Sequence, residues 1–233
     1  MFISKKVMSG LIGIAASIFI ASAQAAPITV PTGLNVGDSY RLAFVTSNTM
    51  NAISSNLADY NAFVTAAANS QATLAALGTA WYAIASNAAG NARSNTGTDP
   101  TTATGVPIYL LDSSSTKLAD NNADLWDGTR DTPLNITEAG TIWTGSLVWT
   151  GTDADGLRTD GFFSGFGTTK FGLANDSGMA GINAGRTNPE LSGSIYAISD
   201  VLTVAVAVPA PAGLALFGLG IAGIMCVCRK RAT

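Results

Sequence analysis

Residues 40–46, YRLAFVT, set the architecture of the chain. The stretch alternates in character and carries aromatic and β-branched side chains, which predicts a strand. Ser54 and Ser55 follow where a helix N-cap is favoured, and Leu57, Tyr60, Phe63, Val64 and Ala67 then recur at helical spacing. That pattern predicts a helix to about residue 68 with one apolar face. A second short helix is expected over residues 71–77, closed by Gly78. Residues 81–86, WYAIAS, read as the next strand.

Beyond this opening the pattern changes. Residues 87–105 are rich in Asn, Thr, Gly and Ala and read as a long mobile loop. Residues 106–111, VPIYLL, read as a strand, and residues 118–128 as an acidic loop carrying Trp126. Residues 142–152 hold Trp143 and Trp149 in a strand-like stretch that ends in a tight turn over residues 153–156. Residues 161–193 are glycine-rich and read as irregular; residues 194–204, SIYAISDVLTV, read as the last strand. Helices grouped near the start, followed by short strands and long loops, define an α+β fold.

The segment order carries a resemblance. LAALGTAWYAIAS, GVPIYLL, LADNNADLWDG, VWTGTDADGLRT and YAISDVLTV follow one another through most of the body. In that order they resemble the endostatin-type C-terminal domain of collagens, a C-type lectin-like fold; residues 148–156, VWTGTDADG, carry most of the likeness. The resemblance implies a single endostatin-like or C-type lectin-like domain. It does not bring that family's ligands, because the body has neither its cysteines nor its zinc-binding histidines, and only seven cations. Fold alone does not fix function.

Two membrane-directed ends bracket this body. Residues 1–25 read as a secretory signal: Lys5 and Lys6, an apolar stretch, then Ala23-Gln24-Ala25, which fits signal cleavage at Ala23 and Ala25. Residues 26–207 form one extracytoplasmic domain, long enough for a sizeable core. Residues 208–233 form the tail. Val208, Pro209, Ala210 and Pro211 lead into an uncharged run of 17 residues, 212–228, closed by Arg229, Lys230 and Arg231. At about 1.5 Å per residue the run reaches roughly 25 Å, near the lower limit for one C-terminal transmembrane helix. The basic cluster places its end on the cytoplasmic side. The order of proline motif, short apolar helix and basic end resembles the bacterial PEP-CTERM sorting signal, with Ala210 where that family usually carries Glu. The resemblance implies signal peptidase and exosortase as processing partners, an inner-membrane intermediate, and a final place at the cell surface or outside. It also implies association with exopolysaccharide or biofilm matrix.

Composition narrows the chemistry. The chain has no histidine, which removes Ser-His-Asp triads and histidine-ligated zinc. Both cysteines, Cys226 and Cys228, lie in the tail, so the body has neither a disulfide nor a thiol nucleophile. The body holds seven basic and fifteen acidic residues, a net charge near −8 at ordinary pKa values, which disfavours nucleic acid. Lys117 and Lys170, its only lysines, read as solvated surface charges.

Carboxylates are the plentiful reactive groups. Asp120, Asp124, Asp127 and Asp131 cluster in one stretch, and Asp153, Asp155 and Asp160 in another. Asp153 and Asp155 are the candidate Ca2+ ligands, against a reading as ordinary solvated turn acids, and Trp126 and Trp149 are the candidate surfaces for stacking against a sugar, against a reading as core or half-buried strand residues. The leading expectation is a non-enzymatic, exosortase-sorted cell-surface or matrix protein. The alternatives are a calcium-assisted carbohydrate-binding module and a carboxylate-based glycosidase.

Overall fold

The computed structural model describes residues 27–145, 147–163 and 167–206. The signal residues Ala23 and Ala25 and the whole tail, with Val208 to Pro211 and Arg229 to Arg231, lie outside the described residues. Among the described residues no helix is long and apolar enough to cross a membrane.

The body is a mixed α/β unit built on one sheet with a few short helices. In chain order the elements are β1 (Ser39–Val45), α1 (Leu57–Asn69), α2 (Ala72–Ala75), β2 (Trp81–Ala83), α3 (Ala92–Thr96), β3 (Ile108–Leu110), β4 (Lys117–Ala119), α4 (Asn122–Leu125), β5 (Val148–Trp149), β6 (Thr169–Gly172), a 3-10 turn (Met179–Gly181), β7 (Gly185–Thr187), β8 (Ser194–Ser199) and β9 (Leu202–Thr203). The strands run in the order β4-β3-β1-β8-β5-β6-β7, with β2 also on β8 and β9 on β1. β1 and β8 are antiparallel, with Ala43 opposite Ile198 and Val45 opposite Tyr196. β1 and β3 are parallel, as are β5 and β8.

The two central strands explain this order. Six of the seven β1 residues are buried, as is every residue of β8. Strands covered on both faces read as near-continuous apolar runs, and both sequences supply one. Arg41 is the exception in β1. Only 6% exposed, it donates from Nη1 to the carbonyls of Thr96 (2.8 Å) and Ser199 (2.9 Å). A buried guanidinium must be hydrogen-bonded, and here it ties α3 and the end of β8 to β1.

α1 buries Tyr60, Val64, Ala67 and Ala68, close to the expected face. Its cap is Asn56, whose side chain accepts from the Ala58 amide at 3.1 Å; Ser54 instead donates to the Asp59 carboxylate at 2.6 Å. The helix packs on β2 and β8. Beneath it Phe44 meets Trp81 edge-on at 5.1 Å, and Tyr60 lies 4.2 Å from Phe163 between ring centres. In a body without cysteine, burial supplies the stability, at about 1.5–3 kcal/mol for each large apolar side chain removed from water.

Several stretches differ from the sequence expectation, the expected acidic loop at residues 118–128 among them, since it contains α4. The expected loop at residues 87–105 contains α3, held by a reciprocal cap between Asn91 and Ser94 and ended by Gly97 at φ 63°. The strand-like stretch at residues 142–152 contracts to β5, Val148–Trp149. The irregular stretch at residues 161–193 contains β6, the 3-10 turn and β7. Its glycines permit close backbone approach: a Cβ on Gly172 would lie 2.0 Å from the Gly181 carbonyl oxygen. The last expected strand divides at Asp200, whose amide donates to the Ala80 carbonyl, giving β8 and β9.

Candidate functional site

Three loops on the β5–β6 side of the molecule enclose a cleft of about 360 Å³, lined by Trp126, Asp127, Asp153, Asp155, Met179 and Asn183 among others. Each loop is fixed by local chemistry. α4 starts where Asn121 accepts from the amides of Ala123 (2.9 Å) and Asp124 (3.1 Å). It ends at Trp126, whose indole N–H donates to the carbonyl and hydroxyl oxygens of Thr98. After β5, the Asp153–Gly156 turn closes with the Gly156 amide on the Asp153 carbonyl at 2.9 Å. Gly156 has φ +78°, and a Cβ there would stand 2.6 Å from the Trp126 ring. Only glycine lets the turn lie flat against the indole. The third wall is the 3-10 turn, with Met179 67% exposed.

Asp153 is the electrostatic centre. Its Oδ1 accepts from Lys170 Nζ and, at 2.8 Å, from Asn183 Nδ2; its Oδ2 accepts from Thr159 Oγ1. Lys170 Nζ also meets Thr159 Oγ1 at 2.7 Å and Asp160 at 3.6 Å. Lys170 is therefore not a solvated surface charge: only 3% of it is exposed. Further out, Arg186 pairs with Asp160 and holds its carboxyl down to about 2. The pair is exposed, so screening by water limits its worth.

Asp153 and Asp155, the candidate metal ligands, are both engaged within the protein. The Lys170 ammonium pairs with Asp153 Oδ1. Asp155 spends Oδ1 on the Leu157 amide at 2.9 Å. Among the described residues, the acidic side chains whose oxygens converge as a set of three are Asp120, Asp124 and Asp131, within 4.8 Å of one another. Lys117 stands beside them, paired with Asp120 and, at 3.5 Å, with Asp131. Asp124 accepts from the Asp120 amide at 2.6 Å.

Of the two readings of the tryptophans, burial favours the core. Trp149 is fully buried and donates to the Leu191 carbonyl at 3.3 Å. Trp126 lines the cleft as its floor but is only 3% exposed, with Gly156 lying over its ring. Neither indole offers an open face. The structure thus brings Trp126, Asp153 and Asp155 to one cleft and leaves Trp149 in the core. Sequence reading missed Asn183, Thr159, Lys170 and Met179. Lys170 left one trace: it follows two threonines and precedes Phe171 and Gly172, a short β-like run.

No protein-family model matches the chain, and comparison with curated proteins finds no match.

Proposed function

We propose that the chain is an exported, exosortase-sorted, non-enzymatic protein of the cell surface or extracellular matrix, with an endostatin-like or C-type lectin-like body. It passes through an inner-membrane intermediate and associates with exopolysaccharide. The observation that carries its non-enzymatic part is the state of the Asp153–Gly156 turn. Asp153 is neutralised from within by a buried lysine and held by an amide and a hydroxyl, the arrangement of a structural brace. A carboxylate so engaged is poorly placed to activate water or to attack a sugar. Support for the fold comes from the segments that carry the resemblance, which supply α2, β2, β3, β4, α4, β5, β8 and β9 of one domain.

The test is distribution in a host with and without exosortase. With the enzyme the body accumulates at the surface or in the medium; without it, the chain stays in the inner membrane. Identical distributions would refute sorting by this route.

A second reading, a calcium-assisted carbohydrate-binding module, is favoured by the convergence of Asp120, Asp124 and Asp131. Ca2+ prefers several oxygen ligands, and here it would have to displace Lys117. On this reading Ca2+ raises the melting temperature, EDTA reverses the rise, and D124N abolishes it. A melting temperature indifferent to both reagents removes calcium from the account.

A further inference from the structure

The body is exported without a single cysteine, yet it encloses a nucleophile. Lys170, on β6, is 3% exposed, and its amine reaches the same Asp153 oxygen that accepts from the Asn183 side-chain amide. Lysine, bridging carboxylate and asparagine are the three groups needed to join an amine to a side-chain amide. The amine supplies the new bond, the asparagine supplies the acyl carbon and the leaving nitrogen, and the carboxylate moves the protons between them. We propose that Lys170 and Asn183 form an intramolecular isopeptide bond, with Asp153 as the proton relay.

The step needs no outside reagent. One ammonium proton passes from Lys170 to Asp153 along the hydrogen bond already in place. The freed Nζ lone pair attacks Asn183 Cγ, and the carbonyl π pair moves onto its oxygen. Protonated Asp153 delivers its proton to the amide nitrogen and receives one from Nζ in return. As the carbonyl re-forms, the Cγ–Nδ2 bond breaks and ammonia leaves. One amine and one primary amide become one secondary amide and one ammonia, with no change of oxidation state. The groups are held on two backbone segments fixed by the close approach of Gly172 to Gly181, so orientation is supplied by the fold.

The bond would close a ring from β6 across the 3-10 turn to the start of β7. It would restrict the unfolded chain as a disulfide does, in a body that has none. It would also retain that turn, and with it the Met179 wall of the cleft, under conditions that break ion pairs.

Peptide mass analysis of the folded protein tests this. Arg158 and Arg186 are the tryptic sites flanking Lys170, and no other lysine or arginine lies between them. The expected product is an uncut peptide of residues 159–186, lighter than its sequence by about 17 Da, one ammonia. Backbone fragments between residues 170 and 183 should be missing because the ring holds both halves. K170R and D153N should each be cut after residue 170 into two peptides of unaltered mass, and K170R separates the bond from succinimide formation at asparagine, which loses the same mass without lysine. Cleavage at Lys170 with unaltered masses in the wild-type protein would overturn the proposal. So would a mass loss that persists in K170R.

Discussion

The close approach of Gly172 to Gly181 gives the sharpest structural prediction. Gly172 ends β6, opposite Val148 of β5. An added Cβ would lie 2.0 Å from the Gly181 carbonyl oxygen, 2.7 Å from its carbon and 3.0 Å from Ile182 Cα. All three are backbone atoms, so no side chain can rotate away. Nor can the turn retreat freely: around Gly181, Arg130 Nη2 donates to the carbonyls of Asp176 (3.2 Å) and Gly178 (2.6 Å). Gly172→Ala must therefore shift either the β5–β6 pairing or the turn. Overpacking of this kind costs about 1–3 kcal/mol. For a domain of this size, each kcal/mol moves the melting temperature by roughly 2–4 °C, so the expected fall is about 2–12 °C. Circular dichroism melts of the wild type, G172A and G90A form the assay. Gly90 is the control, because its added Cβ would meet no atom closer than 3.4 Å, the Ser94 hydroxyl. G90A should melt with the wild type. If G172A does the same, the close approach of β6 to the turn is wrong.

Other perturbations probe separate links. Trp149→Ala removes a fully buried indole and should lower stability by about 3–5 kcal/mol in urea titrations. Its partner change, Trp126→Ala, should also strip the donor from Thr98 and unseat the Asp153–Gly156 turn, seen as loss of near-ultraviolet ellipticity. Asn121→Ala deletes the acceptor for two α4 amides and should cost about 1 kcal/mol. The Arg186 hydrogen bond depresses the Asp160 carboxyl from 3.8 to about 2, so its contribution is present above pH 3.8 and lost as pH falls through 2. The stability difference between wild type and Arg186→Ala should therefore shrink over that interval, and shrink with added salt at neutral pH.

The sequence disclosed the centre of the fold better than its periphery. β1 and β8 were legible because burial on both faces demands an apolar run, and YRLAFVT and SIYAISD supply it. α1 was legible from its spacing, though its cap passed from the serines to Asn56, three residues before Asp59. The β6–β7 region was not legible, because its order rests on the close backbone approach of Gly172 to Gly181. Glycine carries no side-chain periodicity from which a strand could be read. The cleft was half legible. Its acids and Trp126 stand out in the chain, but Lys170 and Asn183 reach Asp153 only through the pairing of β5 with β6. Trp126 and Trp149 stayed open between a core and a sugar-stacking reading for a related reason: an aromatic side chain near acids has the same sequence signature whether it is buried or faces solvent.

Delivery to the outside is decided at the two ends of the chain. Intact-mass analysis of the protein recovered separately from membrane, surface and medium tests it most directly. The expected result is a surface or medium species that begins near Ala26 and ends within residues 208–211, beside a membrane species that retains Arg229 to Arg231. Full-length chain confined to the membrane, with no shortened species elsewhere, would contradict it.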